Sequence, residues 1–146
     1  MKINLVFETD IEKAKKEIKN SKRPLIIVAQ DEKFNRKIIE FGGFDILLSP
    51  EKRAGKSKLK KEISGFNHIL ARIATKNKIA LGIDLEEIKK LNREEKAKRL
   101  SRIKQNISVC KKAGTKIKVL GNKKEIQSFL LSLGASTIQA KEAIAF

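Results

Sequence analysis

The sequence predicts an α/β fold in which short strands alternate with helices around a mainly parallel sheet. Five short runs rich in Ile, Val and Leu are separated by polar stretches with helical periodicity. Such runs are typical of strands buried on both faces, and their alternation with helices predicts right-handed crossovers. The length of 146 residues predicts one domain, residues 1–146, with a core of its own.

The apolar runs place the predicted strands. They lie at residues 3–7, 25–29, 44–48, 79–83 and 117–120, with a possible short strand at 136–138. A complete eight-stranded α/β barrel needs about 250 residues, so the sequence predicts an open sheet or a partial, reduced barrel. The edge strands of such a sheet need cover, which favours a homodimer or a protein partner.

Capping residues mark the predicted helix ends. Thr9, Asn92 and Asn122 each stand three residues before a glutamate, which is the spacing of a capping box. Gly114 stands where the helix after Asn92 should end, because glycine adopts a left-handed cap freely. The apolar stripe of that helix comprises Ala97, Leu100, Ile103, Ile107 and Cys110. Its basic side chains lie largely off this stripe, which predicts one core face and one basic face.

Positive charge dominates the composition. Thirty-four Lys and Arg oppose 17 Asp and Glu, giving a net charge of +17. Residues 51–64 hold six basic and two acidic side chains, and residues 89–118 hold twelve and two, so these segments carry 14 of the 17 excess charges. This clustering favours a polyanion partner and salt-dependent binding. An AT-rich genome, a thermophilic source or solubility alone could also produce a basic composition.

The aromatic and cysteine content narrows the kind of partner. Trp and Tyr are absent, so base stacking on aromatic platforms is not indicated, and Lys and Arg contacts with phosphates are favoured. Cys110 is the only cysteine, which excludes an intrachain disulfide and a Cys-based zinc cluster and predicts a buried thiol. Because no apolar stretch approaches 18 residues and no signal-peptide pattern is present, we expect a cytoplasmic protein without a membrane segment.

Three motifs suggest chemistry but are incomplete. Residues 50–57 match a phosphate-binding loop except that Pro50 replaces its first glycine, and proline lacks the N–H that such a loop needs. A basic loop that contacts RNA is better supported there. His68 is the only histidine, and Asp84 is a lone carboxylate at a strand end. A metal-dependent phosphoesterase would need a cluster of such ligands, so we predict neither a catalytic residue nor a metal or cofactor.

Several segments in order resemble a known family. They are residues 31–42, the run FDILLSP at 44–50, GFNHILAR at 65–72, NKIALGIDL at 77–85, and Leu-Gly at 133–134 followed by IQAK at 138–141. Together they resemble the ribonuclease P protein component 3 family of archaea and eukaryotes. The resemblance covers roughly residues 25–146.

The resemblance implies a barrel-like fold of the polymerase-and-histidinol-phosphatase type without that superfamily's metal site. It implies a non-catalytic subunit of the ribonucleoprotein that removes 5′ leaders from precursor tRNA, with catalysis by the RNA. Implied partners are ribonuclease P RNA, precursor tRNA, protein component 2 and the other ribonuclease P proteins. Family members are usually longer, so this chain is a shortened member that dimerisation could complete.

Twelve residues are candidate RNA contacts. The resemblance implies Arg36, His68, Arg72, Lys76 (or its neighbour Lys78) and Lys141. The charge clusters add Lys52, Arg53, Lys56, Lys58, Lys98, Arg99 and Arg102. The composition alone leaves open a general RNA-binding or ribosome-associated protein.

Overall fold

A computed structural model describes residues 3–53 and 64–144 of the chain. The strands in these ranges are β1 (Asn4–Val6), β2 (Leu25–Val28), β3 (Ile46–Leu48), β4 (Ala80–Asp84) and β5 (Ile117–Leu120). The helices are α1 (Ile11–Asn20), α2 (Glu32–Phe41), α3 (His68–Lys76), α4 (Leu85–Lys89), α5 (Arg93–Ala113), α6 (Lys123–Ser132) and α7 (Thr137–Glu142). A 3-10 turn at Pro50–Arg53 follows β3.

All five strands are parallel, and their order in the sheet is their order in the sequence. Sequential parallel strands with right-handed crossovers place every helix on the same face of the sheet. The alternation of side chains along each strand agrees with this. In β2, for example, Leu25 and Ile27 pack into the main core beneath the helices, whereas Ile26 joins a second cluster on the opposite face.

The second cluster fills the concave face of the sheet. Ile26, Ile46, Leu48 and Ala80 are buried there. A β-carbon on Gly82 would lie 2.5 Å from Ile46 Cγ2, so the strands interlock at this point. Two residues from opposite edges of the sheet, Ile3 and Leu120, also pack against this cluster.

The two edges of the sheet approach each other. Ile3, just before β1, and Leu120, in β5, line one cavity of about 130 Å³. Ile144 lines the same cavity and forms a parallel bridge with Val119 on the outer edge of β5. The sheet is therefore strongly curled, and the predicted α/β fold with a partial, reduced barrel is confirmed.

Local details depart from the expectations at both ends of the chain. Asp10, not Thr9, caps α1, with its carboxylate accepting from the Glu12 N–H. The prediction of a possible short strand at 136–138 is wrong. Ser136 instead forms a capping box with Gln139 and begins α7, because the reciprocal bonds satisfy backbone N–H groups at the helix start.

The predicted split of α5 into a core face and a basic face is correct only in its second half. Ile103, Ile107 and Cys110 are buried as expected, whereas Ala97 is exposed and Arg99 is buried. The first half of α5 lies over the 3-10 turn and α4, where carboxylates are available to pair with a guanidinium. In the two described ranges, no helix is both long and apolar enough to cross a bilayer.

Candidate nucleic-acid interface

A basic cleft lies where the 3-10 turn meets the first half of α5. Lys52, Lys98, Arg99 and Arg102 line it, together with Leu91 and Glu95, and its volume is about 270 Å³. Four of the twelve predicted residues therefore converge, although 46 positions separate Lys52 from Lys98 in the sequence. Four of the six lining side chains are cationic and one is acidic, and carboxylates just outside the lining pair with three of the four cations.

The four cations of the cleft are not equivalent. Lys52 and Lys98 keep 54% and 48% of their side chains exposed, whereas Arg99 keeps only 7%. Arg99 Nη2 donates to Glu51 Oε1 at 3.1 Å and to Glu87 Oε1 at 2.7 Å. The predicted position of Arg99 on an exposed basic face is therefore wrong, because two carboxylates compensate its charge in the interior.

The two carboxylates around Arg99 differ in environment. Burial raises the pKa of the Glu51 carboxyl, and the nearby Arg99 charge offsets this only in part. Burial on its own would raise the pKa of Glu87 as well, but hydrogen bonds from Lys52 and Arg99 outweigh it and hold that pKa below its usual value. Lys52 Nζ lies 2.8 Å from Glu87 Oε2. A chain of ion pairs thus links the buried Arg99 to the exposed Lys52.

The turn that carries Lys52 is fixed to α5 through its backbone as well. Arg102 Nη1 donates to the Glu51 carbonyl oxygen at 3.0 Å. One turn further along α5, Asn106 Nδ2 donates to the Ser64 carbonyl oxygen at 3.1 Å. One stripe of α5 therefore binds the chain on both sides of segment 54–63.

Three other predicted residues form a stripe on α3. His68, Arg72 and Lys76 are exposed and spaced four residues apart, so they share one face of the helix. Asn67 caps the start of this helix by accepting from the Leu70 N–H. Ile69, next to His68 in the first turn of α3, is 49% exposed.

The remaining described candidates lie elsewhere in the fold. Arg36, on α2, is exposed and pairs with Glu40 at 3.1 Å. Lys141 is exposed on α7, which packs against α6 and β5. Lys56 and Lys58 lie outside the described residues, as does the side chain of Arg53. Their RNA-binding role stays a prediction.

The acidic residues that pair with the cations of the cleft were not identified from the sequence. Glu51 and Glu87 stand 36 residues apart, and neither follows a motif. Only Glu51 carried a usable signal in the sequence: it directly follows Pro50, shortly after an apolar strand, in a segment where most charges are positive.

The lone carboxylate and the lone thiol have structural roles. Asp84 caps α4 by accepting from the Glu87 N–H at 3.1 Å. Cys110 is buried, and burial raises the pKa of its thiol to about 12. Over residues 3–53 and 64–144, no three His, Cys, Asp or Glu side chains are grouped so that they could hold a metal ion.

The proteins that match this chain in sequence are ribonuclease P protein component 3 of several archaea. No protein-family model matches the chain. Ribonuclease P protein component 3 of Methanococcus maripaludis strain C7 is 28% identical over 126 residues, which are 86% of this chain and 51% of that protein. The component 3 proteins of Methanococcus vannielii and Methanocaldococcus jannaschii are 26% and 28% identical over 82% and 66% of this chain. The chain spans about half the length of the curated relatives it matches, or less.

The fold has a counterpart among solved structures. A chain of the cryo-EM structure of archaeal ribonuclease P with mature tRNA superposes with a TM-score of 0.75 at 21% identity. The superposition covers 96% of this chain and 62% of that one. The resemblance to the ribonuclease P protein component 3 family is therefore confirmed by its sequence relatives, and the fold is one that occurs in an archaeal ribonuclease P structure.

Proposed function

We propose that the chain is a non-catalytic, RNA-binding subunit of ribonuclease P that supports RNA-catalysed removal of 5′ leaders from precursor tRNA. The observation that carries the proposal is its likeness to component 3 proteins over 86% of its length. The basic cleft and the α3 stripe supply a physical role, since clustered Lys and Arg offset phosphate repulsion and stabilise a folded RNA.

The partners follow from the same proposal. They are ribonuclease P RNA, precursor tRNA, protein component 2 and the other ribonuclease P proteins, in the cytoplasm. A homodimer is a further candidate, because β1 is an edge strand, and Leu5 within it and Phe7 just after it are 55% and 59% exposed. Exposed apolar side chains at a sheet edge favour pairing with another chain.

Reconstitution tests the proposal. Ribonuclease P RNA of a methanogen would be assembled with its other protein subunits, with and without this chain, and precursor-tRNA cleavage would be measured. We expect this chain to raise cleavage at limiting Mg²⁺, where RNA folding depends most on protein cations. A Lys52→Ala/Lys98→Ala variant should give a smaller increase. Equal cleavage with and without the chain would refute the assignment.

A general RNA-binding protein is the second candidate. The cleft favours it independently of the comparisons, because its exposed lysines would contact phosphates in any sequence. It predicts RNA binding at low salt without an effect on precursor-tRNA cleavage, so the same reconstitution separates the two functions.

A further inference from the structure

We propose that the basic cleft is a phosphate-binding subsite in which Lys52 and Lys98 contact an RNA backbone phosphate and the buried Arg99 positions Lys52 through Glu87. The inference rests on the proposed RNA-binding function and deepens it. It assigns different roles to cations that the sequence places in one class.

The exposed lysines are the contacting groups. Lys52 and Lys98 line the same cleft from two elements, and about half of each side chain reaches solvent. The ion pair of Lys98 with Glu94 is long, at 4.0 Å, and Glu94 is 85% exposed, so this pair is weak. Lys98 can therefore exchange its carboxylate partner for a phosphate at little cost.

The position of Arg99 suits it to hold other side chains in place rather than to contact RNA. Its side chain is 7% exposed, and its Nη2 bridges the carboxylates of Glu51 and Glu87. Glu87 uses its other oxygen, Oε2, to hold Lys52 Nζ. Arg99 thus fixes Glu87, and Glu87 fixes Lys52, so the ammonium group occupies one place at the cleft before a ligand arrives. Such pre-organisation reduces the ordering cost of binding.

The backbone of the turn is held by the same helix. Arg102 binds the carbonyl of Glu51, the residue just before Lys52, and Glu51 itself is 1% exposed. Both the main chain beside Lys52 and its side chain are therefore fixed to α5, the helix that carries Lys98. The backbone segments that carry these two lysines, which are distant in sequence, are therefore held to each other.

A double-mutant cycle tests the positioning role. The probe is a generic RNA duplex of about 16 base pairs, not ribonuclease P RNA, and affinity is measured between 50 and 300 mM KCl. We expect Lys52→Ala and Lys98→Ala each to weaken binding roughly threefold to tenfold and to reduce the salt slope by about one. Lys13→Ala, which removes an exposed charge from α1, is the matched control and should have a clearly smaller effect.

Arg99→Lys keeps the charge but shortens the side chain by one atom, so its ammonium does not reach the place from which Nη2 bridges the two carboxylates. We expect the Lys52→Ala effect to shrink to less than about twofold in the Arg99→Lys background, whereas the Lys13→Ala effect stays the same in both backgrounds. An unchanged Lys52→Ala effect would overturn the positioning role. Far-ultraviolet circular dichroism at the assay temperature establishes that each variant is folded.

Glu87→Gln tests the same positioning role without a substitution at the buried Arg99. Because Glu87 is 30% exposed, this variant should fold even where Arg99→Lys does not. If Glu87 positions Lys52, Glu87→Gln should weaken RNA binding and make the effect of Lys52→Ala smaller. If Glu87 only repels RNA, its neutralisation would strengthen binding, and that result would refute the proposal. Because the probe is a generic RNA duplex, this test is independent of the reconstitution assay. The variants can refute the phosphate-binding subsite while this chain still raises precursor-tRNA cleavage, or support the subsite when it does not.

Discussion

Gly65 lies so close to Pro50 that a β-carbon on Gly65 would be 2.3 Å from the Pro50 carbonyl oxygen. The backbone of Gly65 is left-handed, with φ of +82°. The chain just before and just after segment 54–63 is therefore in direct backbone contact, at a position that only glycine can occupy without displacement.

Gly65→Ala should destabilise the fold by about 2–4 kcal/mol, since it combines left-handed strain with a collision against backbone. Gly114→Ala is the matched control. Its φ is +78°, but nothing lies within 4 Å of its β-carbon, so it should cost only about 1 kcal/mol. Urea denaturation followed by circular dichroism measures both. Equal losses would show that the Pro50 contact is readily relieved.

Asp45, just before β3, is hydrogen-bonded to the start of β2. Its carboxylate accepts from Arg23 Nη2 at 2.8 Å and from the Leu25 N–H at 2.7 Å. Burial alone would raise the pKa of Asp45, but these hydrogen bonds outweigh it and the pKa is lowered. A lowered pKa means that the ionised carboxylate stabilises the folded state above the unfolded pKa, and that this contribution is lost as the pH falls through the folded pKa.

Asp45→Asn should therefore lower the free energy of unfolding by about 1 kcal/mol at pH 7, a modest value because Arg23 is half-exposed. The difference from wild type should diminish below about pH 4. Thermal unfolding from pH 3 to 8 checks this. Asp31→Asn is the control, because Asn caps a helix as well as Asp does, so its effect should be small at pH 7. A pH-independent effect at Asp45 would contradict the electrostatic explanation.

Residues whose environment is set locally were predictable from the sequence. The apolar runs gave all five strands to within one or two residues, and Asn92 and Asn122 cap the helices that they were expected to cap. These features depend on side-chain period and on hydrogen bonds within one turn. His68 and Arg72, which the resemblance implies as RNA contacts, are both exposed on α3.

Residues whose environment is set by tertiary contact were not predictable in this way. Arg99 follows the polar period of its helix, yet it is buried because Glu51 and Glu87 arrive from two other elements. The sixth strand expected at 136–138 failed for a related reason. Two of its three residues are β-branched and suit a strand, whereas the bond from Gln139 to the Ile107 carbonyl and the Ser136 capping box favour a helix.

Cys110 should be chemically inert in the folded protein. It is buried, and with its pKa raised to about 12 the thiolate fraction at pH 8 is roughly a thousandfold below that of a free cysteine. We expect iodoacetamide to label it at least about a hundredfold more slowly in buffer than in 6 M guanidinium chloride. Mass spectrometry of timed samples measures the two rates. Comparable rates would mean that the core around α5 opens readily.

The α3 stripe gives the remaining test of the interface. Arg72 lies between His68 and Lys76 on the exposed face of α3, and α3 packs against α5, the helix that lines the basic cleft. A phosphate contact by Arg72 predicts that Arg72→Ala weakens binding to ribonuclease P RNA roughly threefold to tenfold and lowers the salt slope by about one.

The Lys13→Ala variant again provides the charge-matched comparison, on a helix that packs against α2. Filter binding from 50 to 300 mM KCl yields both the affinity and the slope. Arg72→Lys should keep most of the slope, because a phosphate contact depends mainly on charge, although the planar fork is lost. If Arg72→Ala and Lys13→Ala behave alike, α3 lies outside the interface and the cleft alone would carry RNA binding.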